Sequence, residues 1–338
     1  MQLGVSNRLP HSVGEVGDCA STIVSVCIPT YNNATMIEDA LRSVLAQTYP
    51  NLEVLVLDNH STDETERLVH EIALSDSRVR YVRHAKNIGM AGNFNACLTM
   101  ARGEFIQVLC ADDILESGCV KELSTALRAH PEAVLACCGR TLVDANLQPL
   151  RVVRARSGRE VVDGSVLIRE CFAWGNRIGE PSAVMFRREA GGRGFNADYP
   201  QLVDMEMWFY LLTKGAAVFL PDLLCRVRRH GQQFSQTNIC NGRIVEDKQK
   251  LFRQMMSSFG AALSIHEKVL WDARMASSIV RVRLTGGNVN PASIREVFYR
   301  PILHCVVFFL SVAWPVVQKL RYRYMRIKHL RMVPFWHC

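Results

Sequence analysis

The chain has 338 residues, 49% of them hydrophobic and 21% charged. That balance excludes a disordered or fibrous chain and suffices for one large domain or two modest ones. The formal net charge of +8 admits nucleic acid, anionic lipid or a phosphorylated substrate as partner, so the location of the charge has to decide among them.

The 12 cysteines are scattered, with Cys137-Cys138 as the close pair and no CxxC spacing. Neither a zinc site nor a disulfide framework is indicated, and they read as reduced core residues of a cytosolic protein. Residues 1–20 lack a basic start followed by an apolar core, so they read as a loose tail and not as a secretory signal.

From Ser21 the pattern changes. "TIVSVCIPTYN" is a β-branched apolar run closed by Pro29, the signature of a buried strand leaving into a loop. "ATMIEDALRSVLAQTYP" places Met36, Ile37, Ala40, Leu41, Val44 and Leu45 at helical spacing, and Pro50 stops it. "LEVLVLDNHSTDET" is a second buried strand ending in Asp58, followed by the helix "ETERLVHEIALS". "VRYVRHAKN", "GNFNACLTMARG" and "EFIQVLCADD" read as strand, helix and strand.

This alternation predicts a doubly wound α/β fold with a mostly parallel central sheet. Ligands of such sheets bind beyond the carboxyl ends of the strands, where "PTYN", "LDNHSTD" and "CADD" fall. The adjacent acids Asp112 and Asp113 either cap a turn and helix in water or hold something positive.

The second half is less regular. "EAVLACCGRTLVDANLQPL" suggests a strand and turn, "EPSAVMFRRE" a strand, "DMEMWFYLLTKG" a helix with a glycine stop and "AAVFLPDLLCRVRRH" a strand. Beyond about Gln232 the pattern turns mostly helical.

The ordered set "VSVCIPTYNNATMIEDALRSVLAQTYPNLEVLVLDNHSTDET" and "KNIGMAGNFNACLTMARGEFIQVLCADDI" resembles the family 2 glycosyltransferases of GT-A fold. The resemblance covers about Ser21 to His230. It implies a glycosyltransferase domain over 21–230, with a nucleotide-sugar-binding half (21–115) and an acceptor and catalytic half (116–230), then a helical region over 231–338.

By the same resemblance, Asp58 contacts the donor's nucleobase while Pro29, Thr30 and Tyr31 pack around it. Asn59 stands where many relatives have a second aspartate. Asn87, Gly89, Gly92 and Asn93 form an asparagine-glycine loop, whose glycines permit close approach or positive φ. Ala111 and Asp112 also face the donor. Asp112, with Asp113 and His230 as weaker candidates, would ligate Mg²⁺ or Mn²⁺ bridging the diphosphate. Cys110 departs from the family's acidic pattern, and a neutral thiol is a poor ligand for a hard cation.

Asp204 is the expected catalytic base, with Glu206 in reserve. Trp208 either lines an acceptor pocket or packs in the core, and Arg228 or Arg229 helps neutralise phosphate.

No QxxRW sequence of the processive relatives is present. The longest apolar run, Pro301–Val317, is shorter than the ~20 residues of a comfortable span. The basic, tyrosine-rich "QKLRYRYMRIKHLR" follows it. Residues 298–333 are therefore expected to lie on an anionic membrane surface, on its cytoplasmic face, or to form a core or dimer helix. That location accounts for part of the positive charge without nucleic acid.

The expected function is inverting transfer of one sugar from a UDP-, dTDP- or GDP-sugar to a saccharide or lipid-linked saccharide in cell-surface glycan assembly. The alternatives are transfer to a polyprenyl phosphate and a non-catalytic nucleotide-sugar-binding scaffold.

Overall fold

The computed structural model describes residues 22–231, 242–259, 264–284 and 286–298. The expected tails 1–20 and 298–333, including the apolar run 301–317, lie outside them but for residue 298, the end of the last helix. No helix among the described residues is long and apolar enough to cross a membrane.

The strand–helix alternation predicted for the first hundred residues is present. Strands β1 (Val24–Thr30), β2 (Leu52–Asp58), β3 (Val79–Arg83) and β4 (Phe105–Val108) alternate with helices α1 (Ile37–Leu45), α2 (Thr65–Ala73) and α3 (Gly89–Met100). β1 lies between β2 and β4, with β3 beyond β2, all parallel. Both faces of the inner strands are covered, which explains their unbroken apolar runs. Cys27, Leu55 and Leu57 pack toward α3, whereas Val24, Val26, Ile28, Val54 and Val56 pack toward α1 and α2.

The chain continues through β5 (Ile114–Leu115), α4 (Cys119–Ala129), β6 (Ala133–Val143), β7 (Pro149–Val153), β8 (Glu160–Val162) and α5 (Gly164–Trp174). Then come β9 (Val184–Arg187), α6 (Val203–Leu212) and β10 (Ala216–Arg228). α4 and α5 are additions to the sequence reading. α5 is capped by Asp163, whose Oδ1 accepts the N–H groups of Ser165 and Val166.

One insertion decides where the site forms. β9 pairs antiparallel with both β4 and β6, and β10 runs parallel to β6. The carboxyl ends of β1, β2, β4, β6 and β10 therefore share one edge with the start of β9. β10 survives Pro221 in its middle because its register with β6 shifts there.

Three further helices follow: α7 (Arg243–Phe259), α8 (Ile265–Leu284) and α9 (Pro291–Phe298). They join the apolar cluster of α3, α5 and α6. The rings of Phe252 and Trp271 stack at 4.7 Å, and Phe172 stands edge-on to Trp271 at 5.1 Å, which ties α7 and α8 to α5.

Candidate active site

At the top of β1 and β2 the register pairs Thr30 with Asp58. The loops beyond them are stitched together. Asn32 N–H donates to Ser61 Oγ at 2.9 Å, Thr62 N–H to Asn32 Oδ1 at 2.8 Å, and Ala34 N–H to Asp63 Oδ2 at 3.0 Å. Two residues take positive φ to make this turn, Asn32 at 51° and His60 at 70°. Tyr31 is 47% exposed at the mouth, Pro29 is half-buried, and Thr30 is buried with no hydrogen-bond partner for its hydroxyl among the described residues.

Asp58 corrects one expectation. It has no accessible surface, and its carboxylate accepts Ser61 N–H at 2.8 Å and the Tyr81 hydroxyl at 2.6 Å. In this structure it is the post on which the loop hangs and offers a ligand no exposed oxygen. Asn59 likewise ties strand to loop, accepting Ile88 N–H at 2.8 Å and donating to Asn87 Oδ1 at 3.0 Å. Asn87 and Gly89 are exposed, and Gly89 has φ of 76°. A Cβ at Gly92 would meet the Ile88 side chain at 3.3 Å, a tight contact that the half-exposed Ile88 would have to yield to. Asn93 does not reach toward a nucleotide. It donates to Leu57 C=O at 2.9 Å and pairs with His84 Nε2 at 2.9 Å, inside the fold.

Beyond β4, a turn closes with Asp113 N–H on Cys110 C=O at 3.0 Å. Asp113 caps no helix, because the two-residue β5 follows it. Its carboxylate faces inward, where Ser182 Oγ donates at 2.5 Å and Arg228 N–H at 2.8 Å. Burial, then the neighbouring Asp112, pushes it well above the usual carboxylate range.

Asp112, partly exposed, meets His230 instead, with its Oδ2 3.0 Å from Nε2. Ionised, Asp112 can only accept, so Nε2 carries the proton. The Nδ1 of His230 is buried and has no hydrogen-bond partner among the described residues. Cys110 Sγ, Asp112 and Asp113 have ligand atoms within 4.8 Å of one another. Of these three, the carboxylates of Asp112 and Asp113 suit Mg²⁺ or Mn²⁺, whereas the neutral Cys110 thiol does not, and His230 reaches the cluster through its contact with Asp112. Ala111 is buried beneath this turn.

Arg228 is not an available phosphate ligand. It is 3% exposed and its guanidinium pairs with Asp39 at 2.8 Å. Arg229 pairs with Glu180 at 2.5 Å, and Arg140 pairs with the other Glu180 oxygen. Burial opposes the charge of Glu180, but Arg140 and Arg229 prevail and hold it below the usual carboxylate range.

Asp204 stands in the first turn of α6, partly buried, with Met205 N–H donating to its Oδ1 at 2.8 Å. Burial pushes it up to about 6, and the charge of Glu180 adds to the effect. Burial pushes the Cys110 thiol well above its ordinary value, and the charges of Asp113, Asp112 and Asp204 add to the effect. Glu206 is excluded as the reserve base. It is 1% exposed and paired with Arg193 at 2.6 Å, because two residues along a helix turn it to another face. Trp208 is likewise no acceptor wall. It has no accessible surface, its ring lies against Phe186 and Phe195, and its N–H donates to Gly179 C=O at 3.3 Å.

Sequence reasoning missed Ser182, Glu180, Arg140, Asp39 and Tyr81. Each gains its place through a partner distant in the chain, and no local spacing marks it.

Residues 25–192 match the model described as "Glycosyl transferase family 2". The chain belongs to that family. A protein of Mycobacterium tuberculosis, named only as uncharacterised, is 34% identical over 297 residues, which are 82% of this chain and 92% of that protein. The family relative from Campylobacter jejuni named GalNAc(5)-diNAcBac-PP-undecaprenol beta-1,3-glucosyltransferase is 29% identical over 179 residues, 52% of this chain and 55% of its own. Among solved structures, the Pyrobaculum calidifontis mannosyltransferase in complex with GDP-Man and Mn²⁺ matches with a TM-score of 0.56 at 20% identity, covering 86% of each chain. That likeness shows the GT-A fold.

Proposed function

We propose that this glycosyltransferase moves a single sugar, with inversion, from a nucleoside-diphosphate sugar to a saccharide or lipid-linked saccharide during cell-surface glycan assembly at the cytoplasmic face of a membrane. The observation that carries the reading is the turn beyond β4, where Asp112 meets His230, together with the half-buried Asp204 in the first turn of α6. The donor named for the Pyrobaculum structure and the undecaprenol-linked acceptor named for the Campylobacter relative support it.

A carboxylate poised at about 6 is ionised at neutral pH yet basic enough to take a proton. Asp204 accepts the proton of the acceptor hydroxyl as that oxygen bonds to the anomeric carbon. The bond from that carbon to the diphosphate oxygen breaks, and the nucleoside diphosphate leaves with the electron pair. One displacement inverts the centre. Asp112, oriented by His230 and with Asp113 beside it, would hold the divalent cation, which would supply neutralisation of the departing diphosphate. Asp58, Asn59 and Asn87 keep the two nucleotide loops in shape, and Tyr31 offers an aromatic face at the mouth.

The test is calorimetric titration of GDP and UDP, with and without Mn²⁺, into the parent and Asp112→Ala. Mn²⁺-dependent binding is expected to weaken by more than about a hundredfold, beyond the 10–100-fold for losing a mere orienting partner. Equal affinity in the variant would remove Asp112 from the site.

A further inference from the structure

The face of α7 turned toward α6 is polar where an apolar stripe would be the default. Asp247, Lys250 and Gln254 follow at spacings of three and four and so share one face of the helix. Asp247 Oδ2 accepts the N–H of Gln201 at 2.7 Å and of Leu202 at 3.0 Å. Lys250 pairs with Asp198 at 3.2 Å. Gln254 Oε1 accepts the Tyr199 hydroxyl at 2.6 Å, and its Nε2 donates to Glu206 Oε1 at 3.4 Å. Their partners run from 198 to 206, through the approach to α6 and its first turn.

α6 lacks a cap of its own. Leu202 occupies the N-cap and has no side-chain oxygen to offer the leading N–H groups. Asp247, from a different helix, accepts instead the N–H of this N-cap residue and of Gln201 before it. At 4% exposure it is a carboxylate that packing alone would not select, since burying it is costly without such charge-assisted bonds. Asp204 and Glu206 leave this turn on different faces. Arg193 and Gln254 hold Glu206 inward, and that fixes the rotation of the turn that carries Asp204.

We infer that α7 is a positioning element for the catalytic base: Asp247, seconded by Gln254, holds the first turn of α6 in register so that the Asp204 carboxylate keeps its half-buried seat. This rests on the reading of Asp204 as the base.

The experiment compares the parent with Asp247→Ala, Asp247→Asn, Gln254→Ala and Asp204→Asn. It follows nucleoside-diphosphate release to water from whichever UDP-, dTDP- or GDP-sugar gives the largest thermal shift. Hydrogen exchange is read at the amides of 201–206. In Asp247→Ala those amides should exchange at least tenfold faster while those of β1 and β2 stay protected. Its kcat should fall about ten- to a hundredfold with donor KM within about twofold, the scale of a small misplacement of a reacting group. Asp247→Asn, which keeps a carbonyl acceptor, should recover most of both.

Unchanged exchange at 201–206, or unchanged kcat in Asp247→Ala while Asp204→Asn is inactive, overturns the inference. So does exchange that quickens equally across the sheet. Should Asp247→Ala not fold, the same two readouts on Gln254→Ala, which spares the Asp247 bonds, decide in the same way. Turnover retained by Asp204→Asn defeats the base assignment instead, a separate result.

Discussion

Asp204→Asn separates a catalytic carboxylate from a structural one by a change in stability. Folding moves this carboxyl from an ordinary 3.8 to about 6, chiefly by burial. At about 1.4 kcal/mol per pH unit, the ionised form is disfavoured in the native state by up to ~3 kcal/mol. Water at its partly exposed edge screens some of that, leaving about 1–3 kcal/mol. The sign follows from linkage: a group that holds its proton more tightly when folded lowers stability as pH rises through its folded value.

The asparagine variant, free of that burden, should therefore be the more stable protein above pH 6. The advantage should shrink as pH falls and vanish below about 4. Thermal unfolding of both proteins from pH 4 to 8 reads it directly, with a gain of several degrees expected at pH 7.5. Turnover should be lost in the same variant, and the acid limb of the parent's kcat/KM profile should fall near pH 6. A gap in melting temperature that stays constant with pH, or an asparagine variant less stable than the parent at pH 7.5, would refute the reasoning.

Two further substitutions test the nucleotide loops. His60 holds φ of 70°, so His60→Gly should relieve left-handed strain and stabilise by about 0.5–1 kcal/mol in urea titration. A loss above about 1 kcal/mol would mean that its 3.2 Å bond to His84 C=O outweighs the strain. Tyr81→Phe removes the hydroxyl that donates to buried Asp58 at 2.6 Å. It should cost about 1.5–3 kcal/mol and raise donor KM while leaving kcat near the parent's; an unchanged KM would detach Asp58 from the donor site.

The parallel half of the fold was legible because its strands are buried on both faces and its helices on one, patterns that differ in period and need no partner to be read. The apolar stripe of α5, Leu167, Ile168, Cys171 and Phe172 behind the Asp163 cap, carries the same signal. The two-residue β5 carries almost none. The insertion of β9 was out of reach, because its antiparallel seat between β4 and β6 is decided by residues some 50 to 80 positions away.

The site divides along the same line. Strand ends marked by Pro29, Asp58 and the 110–113 turn located the reactive edge, since a chain leaving a sheet must change composition where its apolar run stops. The roles of individual acids could not be assigned that way. Asp112 and Asp113 are chemically identical neighbours, and only Ser182 and the Arg228 N–H draw one inward while His230 meets the other. Asp204 and Glu206 differ by one methylene, and Arg193 with the polar face of α7 claims the second. Local sequence set the edge at which acids gather, because periodicity and turn chemistry act over a few residues. Tertiary structure decided which of them stays open to solvent, because the cations, hydroxyls and N–H groups that satisfy the others come from distant parts of the chain.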